Sequence, residues 1–376
     1  MKIIIAPDKF KGSLTSVQVC QAIAEGIALK HKPDLQLIHF PMADGGDGFN
    51  SVLQHYFHTS TITVDTVDPL QRPMSASYQW DAAGHTAIIE MATASGLVLL
   101  KEQERNPLST STYGTGLLIK HAIGSGASRI ILGLGGSATN DAGIGILSAL
   151  GFRFLDRDGI ELPPVGKSLS GIHQILPPQS LPAIRFEIAA DVENPLYGSN
   201  GAAFVYGPQK GADTETVSQL DKGLQQFASI VLAQSGKDIA SFPGSGAAGG
   251  IAAGLSAFFD VKMTRGVDLV LQANGLRNEL PGAAMIITGE GKIDSQSGSG
   301  KVVGTMAALA RQHAIPCLAF CGLLEASPQQ VMDLALSAAY PLEGKGMSLE
   351  ESMANAYQLL VRKTEAVIGD WLKATG

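Results

Sequence analysis

Carboxylates, lysines and hydroxyl residues recur in this chain at the ends of short apolar runs, set among glycines. Six segments carry them: APDKFKGS at 6–13, MADGGDG at 42–48, EMATASG at 90–96, GLGGSATND at 133–141, ADVENP at 190–195 and TGEGKID at 288–294. Glycine lets main-chain N–H groups come close to an anion, and the N-terminus of a following helix adds partial positive charge, so these segments suit phosphate. Asp44, Asp47, Asp191, Glu290 and Asp294 offer hard oxygen ligands for Mg²⁺, or a base to orient an attacking hydroxyl. Lys9 and Lys11 can neutralise phosphate oxygens. Any one segment alone is ordinary turn chemistry, because Gly, Asp and Asn favour turns for backbone reasons. Six of them in one chain point to a polar active site.

Something must hold these segments together. Short β-rich apolar runs alternate with helix-period stretches, the pattern of a parallel sheet with crossover helices. The first unit is a strand over 3–6, an amphipathic helix over 16–30 capped by Thr15 or Ser16, and a strand over 35–40. Further strands are expected at 87–91, 129–133, 184–190, 283–288 and 317–320, and a helix at 349–373. Segments 157–182 and 234–248, rich in Pro, Gly and Ser, read as loops or extended connections. In open α/β sheets ligands lie beyond the carboxyl ends of the strands, which is where the six segments fall.

With 376 residues the chain exceeds one ordinary hydrophobic core, so two domains, or one with a large insertion, are expected. A net charge of -7 gives no footing for nucleic acid or an anionic membrane, which leaves a small ligand. Cys20, Cys317 and Cys321 lack zinc spacing and read as reduced core residues. The opening MKIIIAPDKFKG is too short in apolar residues for a signal peptide or a span, so a cytoplasmic setting is expected.

Standard nucleotide motifs are incomplete. Gly166-Lys167-Ser168 ends like a P-loop but has Glu161 where the leading glycine belongs, and Gly300-Lys301 is followed by Val302. No protein-kinase catalytic loop and no G-x-S-x-G elbow occur, and no histidine stands at a clear strand tip. The competing signal is Gly133, Gly135 and Ala138, which fit G-x-G-x-x-A after a strand with Asp156 at the expected distance. It makes a dinucleotide-dependent oxidoreductase the alternative.

Long motifs then identify a resemblance over essentially the whole chain. IIAPDKFKGSLTS at 4–16, PMADGGDG at 41–48, IEMATASGL at 89–97, TSTYGTG at 110–116 and GLGGSATNDAG at 133–143 are similar to those of the type I glycerate kinases. So are ADVENPLYGSNGAAFVYGPQKGA at 190–212, PGSGAAGGIAAG at 243–254 and ITGEGKIDSQSGSGK at 287–301. The resemblance implies ATP-dependent phosphorylation of D-glycerate, giving 2-phosphoglycerate or, as the alternative, 3-phosphoglycerate. It also implies a two-domain α/β fold: a discontinuous Rossmann-like domain over about 1–65 with 281–376, a large inserted α/β domain over 66–280, and an active site in the cleft. Monomer and homodimer both remain open.

On that resemblance the residues gain expected roles. Lys9, Lys11 and Ser13 would lie near anionic groups, and the turn comprising Gly135, Gly136, Ser137, Thr139, Asn140 and Asp141 would cradle phosphate or carboxylate. Asp44, Asp47, Glu290 and Asp294 would serve Mg²⁺ or hydroxyl orientation. Asp191, at a strand end beside Asn194, is the first choice of base, with Asn194 orienting substrate. Arg105 could fork onto the glycerate carboxylate. Asp47 stands where the family usually has Glu, and Cys321-Gly322-Leu323-Leu324 replaces a smaller, more polar turn. The Gly-rich segments 244–254 and 291–300 are expected to move during closure.

Overall fold

The computed structural model describes residues 1–30, 35–45, 48–294, 297–298, 300–342 and 347–374. The strands, in chain order, are β1 (Lys2–Ile5), β2 (Gln36–His39), β3 (Ser60–Val67), β4 (Pro73–Asp81), β5 (Thr86–Glu90), β6 (Arg129–Gly133) and β7 (Arg153–Leu155). They continue with β8 (Gln174–Leu176), β9 (Arg185–Ala189), β10 (Asp260–Thr264), β11 (Ala283–Ile293), β12 (Cys317–Leu324) and β13 (Ala338–Pro341). The chain divides into two compact units. One comprises Met1–Asp44, Ser51–Tyr56 and Gly266–Gly376; the other comprises Gly45–Asn50 and Phe57–Arg265.

The first unit is built on a five-stranded parallel sheet in the order β13-β12-β11-β1-β2. Isoleucine at three successive positions of β1 fits a strand buried on both faces, and Ile3, Ile4 and Ile5 are all fully buried. Helix Ser16–Ala28 follows, and Thr15 closes it with a capping box: Gln18 N–H donates to Thr15 Oγ1 at 3.3 Å and Thr15 N–H to Gln18 Oε1 at 2.9 Å. Val19, Ile23 and Ile27 of this helix join Ile5, Ile287, Leu318, Phe320 and Leu360 in one core. A Cβ on Gly26 would stand 2.5 Å from Val361 O, so glycine is what lets this helix lie close against Ala356–Ala374. The expected C-terminal helix is two, Leu349–Ala354 and Ala356–Ala374, broken at Asn355.

The second unit carries the sheet β10-β9-β6-β5-β4-β3, in which β5, β6, β9 and β10 are parallel while β4 pairs antiparallel with both β3 and β5. Ile130, Leu132, Phe186 and Ile188 from its strands pack with Leu118, Leu224, Phe227 and Ile251 from helices. Full burial of each such side chain is worth about 1.5–3 kcal/mol over exposure, so packing rather than strand propensity holds the sheet. The segment expected as a loop or extended connection at 157–182 is mostly irregular, and it also contains β8, which pairs antiparallel with β7, and a short 3₁₀ turn over Gly166–Gly171. Cys20, Cys317 and Cys321 are buried and unbridged, and burial pushes the Cys317 and Cys321 thiols up to about 12. Among the described residues no helix is long and apolar enough to cross a membrane.

Candidate active site

The expected site residues fall into two groups, one in each unit. In the first unit, three neighbouring parallel strands each deliver a carboxylate at their carboxyl ends. Asp8 leaves β1 with its N–H on Gly289 O at 2.8 Å, beside the β11 residue Glu290. Past β2, Met42 N–H reaches Pro7 O at 3.0 Å, which brings Asp44 alongside. Burial first, and then the charge of Asp44, raise Asp8 to about 7, with Glu290 adding to the push; the Lys9 N–H and ammonium pull the other way. Glu290 is raised to about 7 by burial, against the Ser297 hydroxyl and Lys301, with Asp294 and Asp44 raising it further. Two carboxyls held this high by burial and mutual repulsion would each be stabilised by a cation.

One atom makes the point sharply. Glu290 Oε1 is buried with no hydrogen-bond partner among the described residues. A buried carboxylate oxygen left so is costly, and a bound cation or its water would satisfy it. Asp294 is braced by Lys292, its Oδ2 3.6 Å from Lys292 Nζ, and its N–H donates to Ser297 Oγ at 3.1 Å. Among the described residues no group of three or more His, Cys, Asp or Glu stands close enough to hold a metal unaided. Mg²⁺ does not need one, since it commonly takes one or two carboxylates and fills its octahedron with water and substrate phosphate. The carboxylates present fit that ion.

Lys9 is half-buried and Lys11 exposed, on the turn between β1 and its helix. Ser13 Oγ donates to Phe10 O at 3.1 Å, closing that turn around Gly12, whose φ of 77 demands glycine. A Cβ on Gly291 would stand 3.0 Å from Lys11 N, so the β11 tip and the lysine turn touch backbone to backbone. Asp47 lies outside the described residues, as do Ser295, Gln296 and Ser299 of the expected moving segment at 291–300.

In the second unit the turn after β6 is the centre. Gly135 and Gly136 are exposed, whereas Ser137, Thr139, Asn140 and Asp141 are buried. Asp141 is wholly enclosed and accepts from Thr112 N and Oγ1, both at 2.8 Å, from Gly143 N at 3.1 Å and from Gly145 N at 3.3 Å. Burial raises its carboxyl, and those donors pull it back. Lys210 is also buried, and its Nζ donates to Ser137 Oγ at 2.8 Å and Thr139 O at 2.6 Å. Burial holds this ammonium down to about 7, against the attraction of Asp141. Ser137 Oγ, the Thr139 carbonyl and the Asp141 carboxylate thus go into shaping the turn, whereas Thr139 Oγ1 and both polar atoms of the Asn140 amide are buried without a partner among the described residues, and Gly135 and Gly136 are exposed.

The glycines at 244–254 explain themselves here. Ala248, Gly249 and Gly250 all have positive φ, and a Cβ on Gly249 would stand 2.6 Å from Asn140 Cα. A Cβ on Gly254 would run into Ala142 O. Most of this segment is buried against the 139–142 turn and is a packed buttress, not the moving loop its composition suggests.

Arg105 is half-buried, with Nε buried and without a partner among the described residues, and Gly211 packs closely against its backbone. An anion beside it would satisfy that N–H. Asp191 is exposed just past β9. Asn194 is committed to its own loop: Nδ2 donates to Asn200 O at 2.9 Å and Oδ1 accepts from Tyr206 OH at 2.6 Å. A pocket of about 400 Å³ opens at the ends of β5 and β6, lined by Glu90, Ala92, Val98, Leu99, Gly135 and Gly136 among others.

Sequence reasoning passed over Asp8, Glu90 and Lys210. Asp8 and Glu90 stood in two of the six segments, but the lysines drew attention in the first and nothing marked Glu90 out in the second. Lys210 stood in the long motif at 190–212, but the reading of that motif stopped at Asp191 and Asn194. The dinucleotide fingerprint lacks its setting. Gly133 to Gly143 forms no helix, the next helix begins at Ile144, and Asp156 follows β7, a strand outside the parallel sheet.

The comparisons agree over nearly the full length. Residues 3–372 match the model of the glycerate kinase family. The chain is 41% identical to a glycerate kinase of Halalkalibacterium halodurans, covering 99% of each. It is 37% identical to the glycerate 2-kinase of Escherichia coli K12, over 98% of this chain and 97% of that one. The crystal structure of a chain assigned as glycerate kinase 2 from Salmonella typhimurium LT2 superposes with a TM-score of 0.87 at 36% identity, covering 100% of this chain and 98% of the other. Strand-tip carboxylates, a braced glycine turn and these whole-length matches lead to one conclusion: this chain belongs to the glycerate kinase family and is a kinase.

Proposed function

We propose that the enzyme transfers the terminal phosphoryl group of ATP to the 2-hydroxyl of D-glycerate, with Mg²⁺, in the cytoplasm. The observation that carries this reading is the orphaned Glu290 Oε1 within a carboxylate group where Asp8 and Glu290 are both raised to about 7. Such a group calls for a cation, and phosphoryl transfer requires one for charge neutralisation. The 2-position is favoured by the similarity to the E. coli glycerate 2-kinase.

Within this reading Glu290, Asp294 and Asp47 would hold Mg²⁺, which supplies charge neutralisation to the phosphates when bound. Lys9, Lys11 and Ser13 would face phosphate oxygens, and Gly135 and Gly136 would present main-chain N–H groups from a turn held by Ser137, the Thr139 carbonyl and Asp141, with the unpartnered Thr139 Oγ1 and Asn140 amide left to meet phosphate or carboxylate. Arg105, with its unsatisfied Nε, would take the glycerate carboxylate. Asp191 would accept the hydroxyl proton as the exposed carboxylate past β9, and Asp44 would orient that hydroxyl. Catalysis of this kind rests mainly on positioning and charge.

The test couples ATP, Mg²⁺ and D-glycerate turnover to enolase and pyruvate kinase, so that only 2-phosphoglycerate gives pyruvate. Pyruvate formation is the expected result. ADP release without pyruvate would move the product to 3-phosphoglycerate, and no glycerate-dependent ADP would sink the reading.

A further inference from the structure

We infer that β3 is a dimerisation edge, at which it pairs antiparallel with β3 of a second copy of this chain about a two-fold axis at Thr63. Among the described residues β3 has β4 on one side and no strand on the other. Alternate residues of an edge strand turn their N–H and C=O groups away from the sheet, so this eight-residue edge offers about four such pairs. Proteins usually guard such an edge by keeping it short or by setting Lys, Pro or a bulge in it. The other edges of the two large sheets follow that practice. β10 has five residues and exposes Asp260 and Lys262, β2 has four, and β13 has four and ends in Pro341. β3 is the exception: STITVDTV has no Lys, Arg, Pro or Gly, and it stays in register with β4 through all eight pairs, from Ser60 with Trp80 to Val67 with Pro73.

The residue order makes this edge complementary to itself, as a two-fold interface requires. Antiparallel pairing about Thr63 sets each Ile62 opposite Val64 of the second copy, on the face where both lie half-buried against the core of the second unit. Such aliphatic cross-strand pairs favour this register, because pairing about Val64 would oppose Ile62 to Thr66 instead. On the other face Thr63 meets Thr63, and Asp65 meets Thr61 of the second copy. Asp65 Oδ1 already accepts from Ser75 Oγ at 3.0 Å, and a threonine hydroxyl across the axis supplies a further donor. The two Asp65 carboxylates stand about 14 Å apart along the strands, so the one charge in β3 faces no like charge.

Sedimentation of the full chain at micromolar concentration is expected to give the mass of two chains. Thr63→Lys sets two ammonium groups face to face across the axis and should return the mass to one chain, with circular dichroism showing whether the variant is folded. A single-chain mass for the wild type, or a two-chain mass that folded Thr63→Lys leaves unchanged, overturns the inference. Cysteine pairs test the register without adding charge to the strand. Thr63→Cys places two thiols on Cα atoms about 5 Å apart, within disulfide reach, whereas Thr61→Cys places them about 14 Å apart. Cys20, Cys317 and Cys321 are buried, which keeps the background low. Diamide should therefore link Thr63→Cys into a dimer on a non-reducing gel and leave Thr61→Cys as single chains. Equal linking of both variants, linking of Thr61→Cys alone, or linking of neither overturns the inference, whatever Thr63→Lys does to folding.

Discussion

Lys210 Nζ lies 2.8 Å from Ser137 Oγ inside the second unit, with both side chains buried. A lysine is seldom enclosed in this way, and its ammonium has been pushed down to about 7 by burial. Its use is architectural. It ties Ser137 and the carbonyl of Thr139 together on the far side of a turn whose near side, Gly135 and Gly136, is open. The exposed glycines therefore depend for their shape on a residue about 70 positions later in the chain.

Lys210→Met should leave Ser137 Oγ and Thr139 O without that donor. The expected cost is about 1–3 kcal/mol, read in urea as a lower midpoint with an unchanged slope. A midpoint that stays or rises would mean that burying the charge had cost more than its hydrogen bonds returned.

Asp141→Asn places an amide where four donors converge, so at least one N–H faces another N–H or O–H. A loss of about 3 kcal/mol is expected, because hydrogen bonds to a buried charge are the strong ones. Thermal unfolding checks this, and a melting point within a degree or so of wild type would count against an ionised, fully bonded Asp141.

Gly249→Ala combines a positive φ of 81 with a collision at Asn140. About 1–3 kcal/mol of destabilisation should follow. Because the displaced backbone belongs to the turn proposed to face phosphate, activity should fall in the fraction that remains folded. Circular dichroism alongside kcat/KM separates the two, and full specific activity in the folded fraction would argue that the turn is not part of the site.

The pH dependence of the metal-free protein follows from Asp8 and Glu290. Both are raised to about 7 in the fold, so each binds a proton there that the unfolded chain has already released. Their contribution is complete below the ordinary carboxylate range and is lost as pH rises through about 7. Metal-free protein should accordingly lose stability between about pH 4 and 7, and added Mg²⁺ should raise the melting point more at about pH 8 than at about pH 5. Equal Mg²⁺ stabilisation at both pH values would be inconsistent with these carboxyls meeting the ion.

Much of this could be read from residue order. Three successive isoleucines before Pro7-Asp8 announce a buried strand and its tip, and Arg129–Gly133 has the same bounds in the sequence reading and the structure. β11 was legible only to Thr288, because Gly289, Glu290 and Gly291 look like a turn; pairing of Glu290 with Cys321 and Lys292 with Leu323 keeps the strand going. The antiparallel pair of β3 and β4 was hidden by the expectation of parallel alternation, although its one-sided exposure fits a ribbon with a solvated face. Polar residues at 137–141 look like ligand groups in sequence. Whether such a group faces a ligand or its own fold depends on partners such as Lys210 and Thr112, which local spacing does not reveal.

The central claim is phosphoryl transfer to one particular oxygen, and ³¹P NMR of the reaction product reads that oxygen directly. With ATP, Mg²⁺ and D-glycerate, the account predicts a new phosphate resonance split into a doublet by the single proton on carbon 2. A triplet, from the two protons on carbon 3, or no glycerate-dependent resonance at all would contradict it.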